Sequence, residues 1–137
     1  MGHEVTLNWL EKMKFEVTQP DGYIVSLDAD DSPDQSSTRP KPLLLSALAG
    51  CTAMDVMSML QKMRVDIKDM QVKVNGELTE DHPKYYKNMH ITYIFTGKDI
   101  DIKKIEKAID LSQEKYCGVS ALFKMAIPLT YSVEIKA

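Results

Sequence analysis

The chain has 137 residues, 44% hydrophobic and 27% charged. That suits one ordinary domain with a real core and excludes disordered, collagen-like or disulfide-dense classes. Its net charge of −3 supplies no basic field, so neither nucleic acid nor an anionic membrane is an expected partner. Two cysteines are too few for a disulfide scaffold or a four-thiolate zinc site. The start, Met1-Gly-His-Glu-Val, lacks the charged-then-apolar pattern of a secretory signal. The expectation is a single domain over residues 1–137 in a reducing, cytoplasmic compartment.

Val5, Leu7 and Trp9 alternate with Thr6 and Asn8, and Met13, Phe15 and Val17 with Lys14 and Glu16. After a Pro20-Asp21-Gly22 turn, Tyr23, Val25 and Leu27 resume the alternation. These are three strands of a meander. Residues 28–41, with Asp28, Asp30, Asp31, Ser32, Pro33 and Asp34, have the composition of a polar connection. A calcium loop is not expected there, because no glycine sits mid-loop and no glutamate closes it. Pro42 to Met63 then reads as a helix of about 22 residues, roughly 33 Å long. Its apolar residues, among them Leu43, Leu48, Met54, Val56, Met57 and Leu60, cover most of its circumference. Such a helix belongs in a core or a membrane. Asp55 and the flanking Gln61-Lys62 favour the core, one that a single small sheet cannot enclose.

Two further strands follow, alternating at Met70, Val72, Val74 and Leu78 and at Met89, Ile91, Tyr93 and Phe95, around an Asp81-His82-Pro83 loop. Ile102, Ile105, Ile109, Ser112 and Tyr116 fall at helical spacing, with Asp99 or Asp101 as cap. Val119–Met125 is a short helix, Pro128 ends it, and Leu129, Tyr131, Val133 and Ile135 form a last strand. The order is βββ-α-ββ-α-α-β.

Little in this chain carries obvious chemistry. His3, His82 and His90 have no metal-ligand spacing, and no P-loop, dinucleotide fingerprint or nucleophile elbow occurs. The cysteines remain. Cys51 sits among small residues in Ala49-Gly50-Cys51-Thr52-Ala53, with Asp55 one turn on along the same face. A carboxylate there raises a thiol pKa unless a cation offsets it. Cys117 stands where one helix ends and another begins, and a helix amino terminus lowers a thiol pKa. On local grounds Cys117 is the better nucleophile, although a cysteine on an apolar helix is often only a small hydrophobe.

Leu43–Met63, containing Leu-Ser-Ala-Leu-Ala-Gly-Cys-Thr-Ala-Met-Asp-Val, resembles the first-cysteine helix of the OsmC/Ohr superfamily, the osmotically induced protein C and organic hydroperoxide resistance proteins. Leu111-Ser-Gln-Glu-Lys-Tyr-Cys-Gly-Val resembles its second-cysteine segment, closest to the OsmC-like branch. The resemblance implies an α/β (α+β) fold with antiparallel-rich sheets packed around long central helices in an intertwined homodimer. It further implies a thiol-dependent peroxidase for organic hydroperoxides, with Cys51 peroxidatic, Cys117 resolving, and a dithiol reductant. On that reading Met54, Tyr116 and Phe123 line the cleft, and neither cofactor nor metal is expected.

The chain departs from the family pattern. Lys41, in Arg39-Pro40-Lys41-Pro42, stands where peroxidase members carry a glutamate, and the amino-terminal strands offer Lys12 and Lys14 but no arginine. Arg39 and Lys41 are therefore the candidate thiolate-stabilising cations. The alternative is a protein of the same fold that binds a small hydrophobic ligand, or responds to redox state, without turnover.

Overall fold

The computed structural model describes residues 1–29 and 36–137. Asp30, Asp31, Ser32, Pro33 and Asp34 of the polar connection lie outside the described residues. The elements follow the order read from the sequence: β1 (Thr6–Glu11), β2 (Lys14–Thr18), β3 (Ile24–Asp28), α1 (Pro40–Lys62), β4 (Asp69–Leu78), β5 (Tyr86–Thr96), α2 (Ile102–Leu111), a π-helical turn (Ser112–Tyr116), α3 (Gly118–Lys124) and β6 (Leu129–Lys136). The chain divides into two compact units, Met1–Leu44 and Leu45–Ala137.

The first unit is the antiparallel meander β1-β2-β3, with Trp9 opposite Phe15 and Phe15 opposite Leu27. Gly22 makes the tight β2–β3 turn at φ +94°, where a side chain would be strained. Its N–H donates to the Gln19 carbonyl at 2.9 Å. Every residue of β1 is exposed in the single chain, including Leu7 and Trp9.

The second unit is a three-stranded sheet, β4-β5-β6, with helices. β4 and β5 are antiparallel, pairing Val72 with Tyr93 and Val74 with Ile91. β5 and β6 are parallel, pairing Ile91 with Tyr131 and Tyr93 with Val133. A parallel neighbour needs a crossover, and α2, the π-turn and α3 provide it, so the sheets are antiparallel-rich rather than wholly antiparallel. The core is Met89, Ile91, Tyr93 and Phe95 of β5, Ile105, Ala108 and Ile109 of α2, and Leu48, Val56 and Leu60 of α1. Along α1 only Leu48, Thr52, Val56 and Leu60 are fully buried, a stripe one turn apart. The rest of this apolar helix is part-buried or open, and Met54 is 76% exposed. By length and composition α1 could cross a bilayer, yet its buried stripe packs as a core helix does.

Asp101 is the residue that caps α2, its carboxylate accepting from Lys103 N–H at 3.0 Å. The helix predicted to run through Tyr116 ends at Leu111 instead. The next turn is π-helical, and Cys117 N–H donates to the Ser112 carbonyl five residues back at 2.7 Å. The wider turn delays the break by a residue and sets Cys117 as the cap of α3.

Candidate functional site

The fold brings the two cysteines together. Helix α1 presents Cys51 and, one turn later, Asp55, while the junction between the π-turn and α3 presents Cys117. The Cys51 and Cys117 sulfurs and a carboxylate oxygen of Asp55 all lie within 4.8 Å of one another. Both thiols are free. A disulfide needs the sulfurs at about 2.05 Å, so the pair must close further to bond. Cys51 is half-buried and Cys117 is buried. A β-carbon added at Gly50 would meet nothing within 4 Å.

Cys117 caps α3, with Ser120 N–H donating to its sulfur at 3.4 Å. Burial nevertheless pushes the thiol pKa up; the Ser120 hydroxyl and N–H pull it down, and the neighbouring Cys51 adds to the rise.

Behind the cysteines lies a buried polar network that sequence reading missed. Thr52 Oγ1 lies 2.6 Å from Tyr93 Oη and 2.8 Å from Ser112 Oγ, and Ser112 donates to Asp55 Oδ2 at 3.1 Å. Gln113 Nε2 donates to Tyr93 Oη at 3.0 Å and to Thr52 Oγ1 at 3.2 Å. Donor counting fixes the directions. A carboxylate only accepts, so the one Ser112 proton goes to Asp55. The Thr52 proton must then go to Ser112, and the Tyr93 proton to Thr52. Burial raises the Tyr93 pKa, which keeps that phenol a donor. Every proton in the chain Gln113–Tyr93–Thr52–Ser112 therefore points toward Asp55. Lys124 Nζ donates to the Gln113 carbonyl at 2.8 Å and ties α3 to the π-turn. Gln113 Oε1 and Ser120 Oγ are buried polar atoms without a conventional partner among the described residues.

The other residues singled out from sequence are placed as follows. Met54 and Tyr116 are exposed in the single chain, while Phe123 packs against the core. Met54 lines a shallow depression of about 390 Å³ with Ala53, Met57, Ser58, Gln61 and Met70. Lys41 lies in the first turn of α1 and Arg39 just before it. His90 spends both ring nitrogens on Thr130 and Ser132 of β6, at 2.7 and 3.0 Å, a structural role.

The OsmC-like protein family matches residues 29–132, a span that includes both cysteines, Asp55 and the whole network. The chain belongs to the OsmC-like family. It is 33% identical over 134 residues to protein YhfA of Escherichia coli strain K12, covering 98% of each chain. A solved structure from Aquifex aeolicus VF5 superimposes with a TM-score of 0.84 at 29% identity, over 100% of this chain and 99% of that one. An organic hydroperoxide resistance protein OsmC from Legionella pneumophila shares the OsmC-like fold with a TM-score of 0.71 at 16% identity, over 98% of this chain and 97% of that one. Membership suggests a redox or peroxide-resistance role. The residues of the network were hidden because Thr52, Tyr93 and Ser112 are 41 and 60 positions apart in the chain. The one available signal was Ser112-Gln113 within the second-cysteine motif.

Proposed function

We propose that the protein is a thiol-dependent peroxidase that reduces organic hydroperoxides in oxidative-stress defence, acting as a cytoplasmic homodimer. The carrying observation is a half-exposed Cys51 whose sulfur lies within 4.8 Å of the buried Cys117 sulfur. Cys51 as thiolate attacks the terminal peroxide oxygen, the O–O bond breaks, and the departing alkoxide takes one proton from solvent and leaves as the alcohol. The resulting Cys51 sulfenic acid condenses with the Cys117 thiol, forming a disulfide and releasing water. A dithiol reductant reopens the disulfide. The likeness in fold to an organic hydroperoxide resistance protein of Legionella pneumophila supports this chemistry.

Arg39 and Lys41 are the proposed source of positive charge for the thiolate. Lys41 stands ten positions before Cys51 on α1, about 15 Å of helical rise. The lysine in place of the family's glutamate favours a second reading, an apolar-ligand binder without turnover. The test is to supply a dithiol and cumene hydroperoxide, follow peroxide loss, and read cysteine states by intact mass. Turnover that falls to background in Cys51→Ser, with a Cys51–Cys117 disulfide trapped in wild type, is the expected result. Apolar-ligand binding with no peroxide loss would instead establish the second reading.

A further inference from the structure

We propose that Cys51, Asp55 and Cys117 together bind one zinc-class divalent cation when both thiols are reduced. No metal is expected from the sequence, where Cys51 and Asp55 stand one turn apart on α1; folding brings Cys117 to them. Their donor atoms lie within 4.8 Å of one another. In a tetrahedral zinc site, with Zn–S about 2.3 Å and Zn–O about 2.1 Å, such atoms stand roughly 3.5–3.8 Å apart. The pre-existing cluster needs only a small contraction.

The chemistry of the cluster favours a cation. A divalent ion holds thiolates and a carboxylate together in one site. Two sulfurs and one oxygen form a donor set suited to zinc and unsuited to magnesium or calcium. Three protein ligands leave a fourth position open to water.

The surroundings are those of an oriented ligand. Metal-bound carboxylates are themselves held by hydrogen bonds, and here the Gln113–Tyr93–Thr52–Ser112 relay ends on Asp55 Oδ2. On the other side, the fully buried Ser120 hydroxyl has no conventional partner among the described residues. The site shares the two thiols of the peroxidase reading but does not depend on their consuming peroxide.

The test uses full-length protein, reduced with a phosphine and stripped with a chelator, then titrated with Co²⁺ alone. One cobalt per chain, with thiolate-to-cobalt charge-transfer absorption and displacement by Zn²⁺, is expected. Zn²⁺ should also slow alkylation of both cysteines. Cys51→Ser and Cys117→Ser should lose the charge-transfer band, and Asp55→Asn should weaken binding by about tenfold or more. Cobalt bound without charge transfer, affinity unchanged in Asp55→Asn, or alkylation indifferent to Zn²⁺ would overturn the proposal. If Asp55→Asn does not fold, alkylation protection in wild type decides alone. Peroxide loss is measured with chelator present, so either reading can fail without the other.

Discussion

Thr52 follows Cys51 by one position but faces the core, where it is fully buried. Its hydroxyl accepts from Tyr93 and Gln113 and donates to Ser112, which uses its whole hydrogen-bonding capacity. Thr52→Val keeps the shape and removes that junction, leaving three buried polar groups each short of a partner. Unpaired buried groups cost about 1–3 kcal/mol apiece before relaxation, so we expect a net loss of about 2–3 kcal/mol in urea unfolding. Thr52→Ser keeps the hydroxyl and loses only a methyl, about 1 kcal/mol. A Thr52→Val variant no less stable than Thr52→Ser would show that the network is not structural. The two cysteines were legible in the sequence because each sits in a long, characteristic motif. Thr52 was not, since a threonine in an apolar helix has no distinguishing pattern until its partners from β5 and the π-turn arrive.

Most elements could be read directly, because their period is a consequence of what they bury. β4 alternates Met70, Val72 and Val74 with exposed Gln71, Lys73 and Asn75, and the observed strand does the same. The π-turn could not be read, because Ile105, Ile109 and Ser112 satisfy an ordinary helical period on either side of the break. The parallel β5–β6 pairing was equally hidden, since alternation sets a strand's faces and not its direction. That pairing places Tyr131 of β6 beside α2, where its hydroxyl donates to Asp110 Oδ1 at 2.7 Å. The carboxylate bond, with burial assisting, pushes the Tyr131 pKa up to about 12. The folded state thus holds this proton more tightly than the unfolded chain, whose tyrosine titrates near about 10. Its stabilisation is complete below about pH 10 and fades as pH rises through about 12. Because the side chain is 39% exposed, solvent screening limits the effect to under about 1 kcal/mol. Tyr131→Phe should lower stability by that amount at neutral pH, and the difference from wild type should shrink between about pH 10 and 12. A difference independent of pH in that range would mean that the Asp110 bond does not form in solution.

The exposed apolar surface of a single chain is what most needs a second copy. Trp9, Tyr23 and Ile24 are exposed in the first unit, and Met54, Leu122 and Met125 in the second. Isolated exposed apolar residues are ordinary, but α1 leaves Leu44 and Met54 exposed and Leu43 and Met57 only part-buried while fully burying a single stripe. Burying a large apolar side chain is worth about 1.5–3 kcal/mol, so covering several at once sustains tight association after its entropic cost. Family membership points the same way. Light scattering and sedimentation should therefore find a homodimer at micromolar concentration, with a thermal midpoint that rises with protein concentration. Met54 is the sharpest probe, because in the single chain its side chain supports nothing in the core. Met54→Asp would place an unpaired charge in the interface at a cost of about 3 kcal/mol or more, raising the dissociation constant by more than about a hundredfold. A wild-type monomer at micromolar concentration would sink the dimer, and a Met54→Asp dimer as tight as wild type would move the interface elsewhere. Peroxide loss that falls in step with dissociation, while Cys51 and Cys117 remain reduced and the far-ultraviolet spectrum is unchanged, would assign the substrate cleft to the dimer rather than to the single chain.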